Sequence, residues 1–344
     1  MIEIKHKINN LLNSVNDNKV VYNELELILN HVIDNNVSKD EAFLFLDLLH
    51  FSQVSKIISK NDSHQWAMKT SKIIEKYNYH TGQLLFQRFN RYEDKTAIYI
   101  IDGNDKIEIS FKKLWNDILL TASALKKISK NKRPVVGVLS HNQYKTALVD
   151  LASLSFGIRI IPIPLNSTKE HFSYILKESK VDTLFLGGEK SVQLWNSIKQ
   201  NNEMYVVDVN GIGIIKSNFV SWDDFLDNSD NDILKYKKEY LPDIDMNWTN
   251  TIMYTSGSTS NPKGVKFSNL NIISKRFSRA LALPEVGNND IFLCYLPLFH
   301  TFGRYFELMG SIFWGATYTF AESPAFNSLL KDFSIISPPI FISI

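Results

Sequence analysis

Hydroxyls, glycines and one lysine crowd the stretch "YTSGSTSNPKGVKFSN" (254–269). Gly257 and Gly264 lack a Cβ, so backbone amides there can approach an anion closely. Thr255, Ser256, Ser258, Thr259 and Ser260 add hydroxyl donors. Lys263 contributes a compact positive charge suited to phosphate oxygens. Two readings stand side by side: a cradle for phosphate, or a polar surface turn of a common kind.

The flanks bear on that choice. "TIMY" (251–254) reads as a strand, and "VKF" (265–267) alternates like a second one. Ser268 or Asn269 then caps the helix "NIISKRFSRALA", whose apolar stripe is Ile273, Phe277, Ala280 and Leu281. The loop therefore joins strand to strand. A Walker-type loop runs from strand into helix and ends Gly-Lys-Ser/Thr, whereas this one ends Pro262-Lys263-Gly264. An ordinary P-loop nucleotidase is disfavoured, and ordered strands on both sides favour the cradle.

Upstream, short β-branched runs alternate with helical patterns. "VVGVLS" (135–140) precedes "NQYKTALVDLASLSFG", in which Tyr144, Ala147, Leu148, Leu151 and Leu154 share a helical face and Gly157 is placed to end it. "IRIIPIPL" follows, then a helix opened by Ser167 with Glu170 three residues on, then "VDTLFLGG" and "MYVVDV". Such alternation predicts an α/β fold with mainly parallel sheets and flanking helices. Residues 1–80 read instead as a small helical extension without evident chemistry. There "VSKDEAFLFLDLLHFS" places Ser38 three residues before Glu41, a capping box. The polar stretch 227–247 reads as a linker, and the apolar last residues, "FSIISPPIFISI", read as a chain interrupted inside a fold.

Composition narrows the function classes. The 344 residues are 44% hydrophobic and 22% charged, with 38 basic against 36 acidic side chains, so no broad field points to nucleic acid. Cys294 is the one cysteine, set among apolar residues, which excludes an internal disulfide. His31, His50 and His64 are too scattered for a metal spacing. No signal-like start is present, and a reducing, cytoplasmic setting fits. No apolar run reaches the length of a membrane span. Residues 291–321 carry only Arg304 and Glu307 as charges, so that segment must be buried or face something greasy; peripheral membrane contact is compatible with this but not demanded by it.

The loop closely resembles the signature of the adenylate-forming (AMP-binding) superfamily, Tyr/Phe-Thr-Ser-Gly-Ser/Thr-Thr-Gly-x-Pro-Lys-Gly-Val. It matches from Tyr254 to Val265 except at Ser260, where the family has glycine. "ALVDLASLSFGIRIIPIPLNST" is similar to an early family segment, and "FSNLNI" to the one after the loop, with Asn269 replacing a frequent histidine. "LPLFHTFG" (296–303) looks like the next motif, with Pro297, His300 and Gly303 on its expected positions. The aromatic stretch following His300 most resembles the long-chain fatty acyl-CoA synthetase branch.

That resemblance implies a two-step ligation of a fatty carboxylate, through acyl-AMP to acyl-CoA, using ATP, magnesium and coenzyme A. It covers about Thr81 to the end, an incomplete adenylation domain over 81–344. By resemblance, Thr255, Ser256, Gly257, Ser258, Thr259, Ser260, Lys263 and Gly264 contact the ATP phosphates, and Thr259 the magnesium. Lys263 and His300 assist the chemistry, and His300, Phe302 and Gly303 lie in the acyl region. The family's later tyrosine-glycine-x-threonine-glutamate motif, ribose aspartate and mobile small domain are not found in this sequence. Two other readings stay open: a non-catalytic remnant with weak nucleotide or acyl binding, and an adenylating enzyme for another carboxylate. No Gly-x-Ser-x-Gly elbow supports a serine hydrolase.

Overall fold

The computed structural model describes residues 2–16, 22–129, 133–198, 203–213, 219–230, 241–255 and 261–341. Six helices come first: α1 (Ile2–Asn16), α2 (Tyr22–Asp34), α3 (Lys39–Leu48), α4 (Ser52–Ser59), α5 (Ser63–Lys76) and α6 (Thr81–Tyr92). The expected capping box opens α3: Glu41 N donates to Ser38 Oγ at 3.2 Å while Ser38 N donates to Glu41 Oε2 at 2.9 Å.

Strands and helices then alternate. β1 (Thr96–Asp102), β2 (Asp105–Ser110) and α7 (Phe111–Ile128) lead into β3 (Val135–Ser140), α8 (Tyr144–Ser155), β4 (Arg159–Pro162) and α9 (Lys169–Glu178). β5 (Thr183–Gly187), α10 (Glu189–Asn196), β6 (Tyr205–Asp208), β7 (Phe219–Ser221) and α11 (Trp222–Leu226) follow. The site region is built from β8 (Thr249–Thr255), β9 (Lys263–Ser268), α12 (Asn269–Ala282) and β10 (Ile291–Cys294), then a π-helix (Phe302–Leu308) and α13 (Met309–Trp314). β11 (Thr317–Phe320), α14 (Phe326–Ile336) and β12 (Ile340–Phe341) complete the described chain.

Two sheets result. One has the order β7-β6-β5-β3-β4-β8-β9, the other β12-β10-β11-β1-β2. Among the described residues every pairing is parallel except the β1–β2 and β8–β9 hairpins. The α/β class expected from the alternation is therefore present, with antiparallel strands only at sheet edges. β5 is buried along its whole length, as a strand covered by helices on both faces must be. Gly157, at φ +66°, adopts the left-handed conformation that ends α8.

One local expectation is corrected. Thr168, not Ser167, caps α9: its Oγ1 accepts from His171 N at 3.2 Å. Ser167 N instead donates to Pro164 O at 3.1 Å, closing the preceding turn.

The helical region shares the main core. A single apolar cluster runs from Ile8 and Leu29 through Phe45, Leu84 and Phe89 to Phe313 and Trp314. α5 lies against α12, where Ser71 and Ser274 hydroxyls meet at 3.0 Å. On α6, Arg88 and Arg91 both donate to the buried carboxylate of Asp47, and Arg88 Nε also donates to Phe313 O at 2.8 Å. Cys294 is buried as expected of a packing residue.

Candidate active site

β8 runs parallel to β4 and ends at Thr255, on the edge of the seven-stranded sheet where the parallel strands terminate. Ligands in open α/β sheets bind at that edge. β9 returns antiparallel, with Thr255 opposite Lys263 and Tyr254 opposite Gly264. Thr255 Oγ1 and Lys263 O lie 3.4 Å apart, and both residues are exposed. At Gly264 an added Cβ would stand 2.7 Å from Ile252 Cγ2 and 3.3 Å from the Tyr254 ring. A bare backbone at Gly264 leaves room for the Ile252 and Tyr254 side chains of the paired strand. Tyr254 is buried; its hydroxyl meets Ser179 Oγ at 2.6 Å and donates to the Glu178 carboxylate, so the hairpin base is tied to α9.

The second element is the turn after β10. His300 N donates to Pro297 O at 2.9 Å, and Arg304 N to His300 O at 3.0 Å, so His300 opens the π-helix. Its Nδ1 accepts from Phe302 N at 3.4 Å, and its ring stacks on Phe302 with centroids 6.1 Å apart. Both side chains are exposed. Asn142, just past β3, clamps this turn: Nδ2 donates to Leu296 O at 2.7 Å and Oδ1 accepts from Leu298 N at 2.9 Å. Only β4 separates β3 from β8, so the turn and the hairpin meet the same sheet edge about 10 Å apart. A cavity of about 170 Å³ opens there, lined by His141, Asn142, Tyr295, Pro297 and Phe299 among others.

Gly303 is buried for a steric reason. A Cβ there would sit 2.5 Å from Pro297 O, 2.8 Å from the Leu296 carbonyl carbon and closer still to its oxygen. The π-helix can pack on the turn only through a bare backbone. π-Helical turns are frequent at functional sites.

The two charges of the aromatic segment are both buried. Arg304 is neutralised by Asp150 of α8, Nε donating to Oδ2 at 2.6 Å, and the paired carboxylate raises its pKa against the opposing effect of burial. Glu307 has no hydrogen-bond partner on either oxygen among the described residues. Burial pushes its carboxyl up to about 8, with the nearby Leu296 backbone offsetting only part of that. The aromatics divide likewise: Tyr305, Phe313, Trp314, Tyr318 and Phe320 are core, while Phe302 remains 41% exposed.

Of the residues proposed from sequence, Thr255, Lys263 and Gly264 are gathered in the hairpin, and His300, Phe302 and Gly303 in the turn and π-helix. Ser256, Gly257, Ser258, Thr259 and Ser260 lie outside the described residues. Asn142 was not picked out by sequence reasoning. Its signal is positional: a polar residue directly after a parallel strand, where such folds build their sites.

Residues 85–342 match the family described as AMP-binding enzyme, three-quarters of the chain. This chain belongs to the AMP-binding enzyme family. Among its relatives, long chain acyl-CoA synthetase 8 of Arabidopsis thaliana is 24% identical over 274 residues, covering 73% of this chain. The chain spans 38% of that relative's length. Among solved structures, an anthranilate CoA ligase in complex with anthranoyl-AMP shares the fold at TM-score 0.65 and 18% identity, covering 76% of this chain and 49% of its own. O-succinylbenzoate coenzyme A synthetase from Bacillus subtilis, in complex with ATP and magnesium ion, aligns at TM-score 0.56 and 20% identity, covering 75% of this chain and 62% of its own.

In this member of the family the hairpin pairs two exposed polar residues, Thr255 and Lys263, at the strand ends. A protein cage for metal is not present among the described residues, where no group of three His, Cys, Asp or Glu side chains converges. Magnesium commonly takes much of its coordination from substrate phosphates and water. Among the described residues, no single helix is long and apolar enough to cross a membrane.

Proposed function

We propose that this chain carries the phosphate hairpin and the acid-facing turn of a long-chain fatty acid-CoA ligase. A carboxylate oxygen of the fatty acid attacks the α-phosphorus of ATP, the bond to the departing pyrophosphate breaks, and coenzyme A sulfur then takes the acyl group as AMP leaves. The barrier to the first step is the approach of two anions, and fixed positive charge lowers it. Lys263 supplies that charge, with Thr255, Ser256, Gly257, Ser258, Thr259, Ser260 and Gly264 donating around the phosphates and Thr259 towards magnesium. His300 and Phe302 face the acid, and residues 1–80 form an extension to the adenylation domain over 81–344. The setting is cytoplasmic.

The observation that carries this reading is the pairing of Thr255 with Lys263 at the sheet edge where the His300 turn is also anchored. Exchange of labelled pyrophosphate into ATP, with dodecanoate or hexadecanoate added, tests it directly. Acid-dependent exchange is expected. Its absence from the isolated chain favours a non-catalytic remnant, and exchange with aromatic but not fatty acids shifts the substrate class.

A further inference from the structure

Two arginines and a tryptophan meet at the amino-terminal edge of the seven-stranded sheet, opposite the edge that carries the hairpin. Arg133 lies two residues before β3, Arg159 opens β4, and Trp248 stands directly before β8; the three strands are neighbours. The guanidinium carbon of Arg159 lies 4.7 Å from the centroid of the Trp248 ring, and that of Arg133 lies 5.9 Å from it. Two cations thus share one indole.

Neither arginine is paired with a carboxylate among the described residues. Arg159 Nε donates to Thr249 O at 3.1 Å, which fixes the direction of its fork; its Nη groups have no acceptor among the described residues and are not sealed from solvent. Arg133 is exposed and Arg159 half-buried, so an ion in solution can reach both. Two acids near these strand starts hold backbone amides instead: Asp182 Oδ2 accepts from Val135 N at 3.2 Å, and Asp245 Oδ1 from Asn247 N at 3.0 Å. Burial, and then the charge of Arg133, lowers the pKa of Arg159. The indole face offsets part of the repulsion between the two cations. A monoanion would neutralise one of them, whereas a dianion with several oxygens neutralises both, and guanidinium forks match phosphate oxygens.

We propose that Arg133 and Arg159 form a second anion site, which takes the phosphate dianion of free orthophosphate or of a small phosphomonoester. Trp248 is seven residues from Thr255 along β8, so about 23 Å separates this site from the hairpin. Carboxyl-terminal strand ends build the usual ligand site of such a sheet; this one uses the other ends and shares no residue with the hairpin.

The test is titration of the whole chain, without nucleotide and at constant ionic strength, with orthophosphate, glycerol 2-phosphate and acetate, read by calorimetry and by tryptophan emission. The chain has six tryptophans, and subtracting the Trp248→Phe variant isolates the signal of Trp248. A saturable response to both phosphates is expected, with acetate at least about tenfold weaker. Tighter binding of the ester marks an organic phosphate as the ligand, and equal binding marks the free ion. Moving from about pH 5 to about pH 8 carries the ester through its second ionisation, near 6, and should tighten binding severalfold while both arginines stay charged. Arg133→Gln and Arg159→Gln should each weaken binding by about tenfold. Arg133 is exposed, so its variant does not disturb the core, and circular dichroism checks the fold of the other. Lys263→Ala should leave the Trp248 response unchanged. No saturable response by either readout, native affinity in both arginine variants, affinity independent of pH, acetate equal to phosphate, or a Trp248 response lost with Lys263 would each overturn the assignment. Because no nucleotide is present, failure here is distinct from failure of pyrophosphate exchange.

Discussion

Arg304 Nε donates to Asp150 Oδ2 across 2.6 Å, closing a buried ion pair between residues 154 positions apart in sequence. The pair fastens the π-helix to α8. Asn142 holds the preceding turn from the end of β3, so His300 is suspended between two fixed points on one sheet edge. Its position is set by packing behind it rather than by contacts of its own ring with the core.

Removing one partner of this pair leaves the other charge buried and uncompensated, which costs about 3–5 kcal/mol. Asp150→Ala should lower the urea midpoint accordingly. The double change Asp150→Leu with Arg304→Met should recover most of the loss, because an apolar pair does not carry the desolvation of two ions. A double variant no more stable than Asp150→Ala would show that the pair's shape, not its charge, holds the π-helix.

Much of this architecture was legible because it is periodic. The β8–β9 hairpin, the cap at Ser38 and the end of α8 at Gly157 each follow from a local pattern, whereas that pattern left the cap of α12 between Ser268 and Asn269, and the folded chain uses Ser268, whose Oγ accepts from Asn271 N at 3.1 Å. The Arg304–Asp150 pair does not, since nothing local to either residue names its partner. The burial of Arg276 had a faint signal: it stands three residues after Ile273 and directly before Phe277, on the flank of the apolar stripe of α12. The choice of Thr168 over Ser167 depended on a turn bond that only the folded backbone reveals.

Glu307 should make stability fall with rising pH. Its carboxyl moves from 4.5 to about 8 on folding, so the folded chain holds the proton more tightly. Stability from this group is complete below about pH 4.5, is lost progressively up to about pH 8, and is then constant. Glu307→Gln removes that slope. Urea titrations at several pH values should find the variant similar to the native chain in acid and more stable in mild alkali; parallel curves would show that Glu307 is not neutral in the fold.

Gly303→Ala tests the close approach of the π-helix to the Leu296–Pro297 backbone. The new methyl meets backbone atoms that cannot rotate away. Overpacking of this kind costs about 1–3 kcal/mol, and relief requires moving the His300 turn. Both the thermal midpoint and any acid-dependent exchange should therefore fall. A stable variant with native exchange would mean that the turn gives way without consequence for the site.

Lys263 is where stability and chemistry should separate most cleanly. It is exposed on an edge strand, so Lys263→Ala should change unfolding free energy by no more than about 0.5 kcal/mol. If its ammonium offsets charge on the phosphates, the same variant should slow pyrophosphate exchange by about a hundredfold, the order seen when one fixed donor to developing charge is lost. Lys263→Arg keeps the charge but replaces a compact ammonium with a planar fork on a different stem, and should restore little of the rate. Full activity in the arginine variant would reduce the role of Lys263 to electrostatic attraction of ATP, whereas full activity in the alanine variant would remove it from the chemistry altogether.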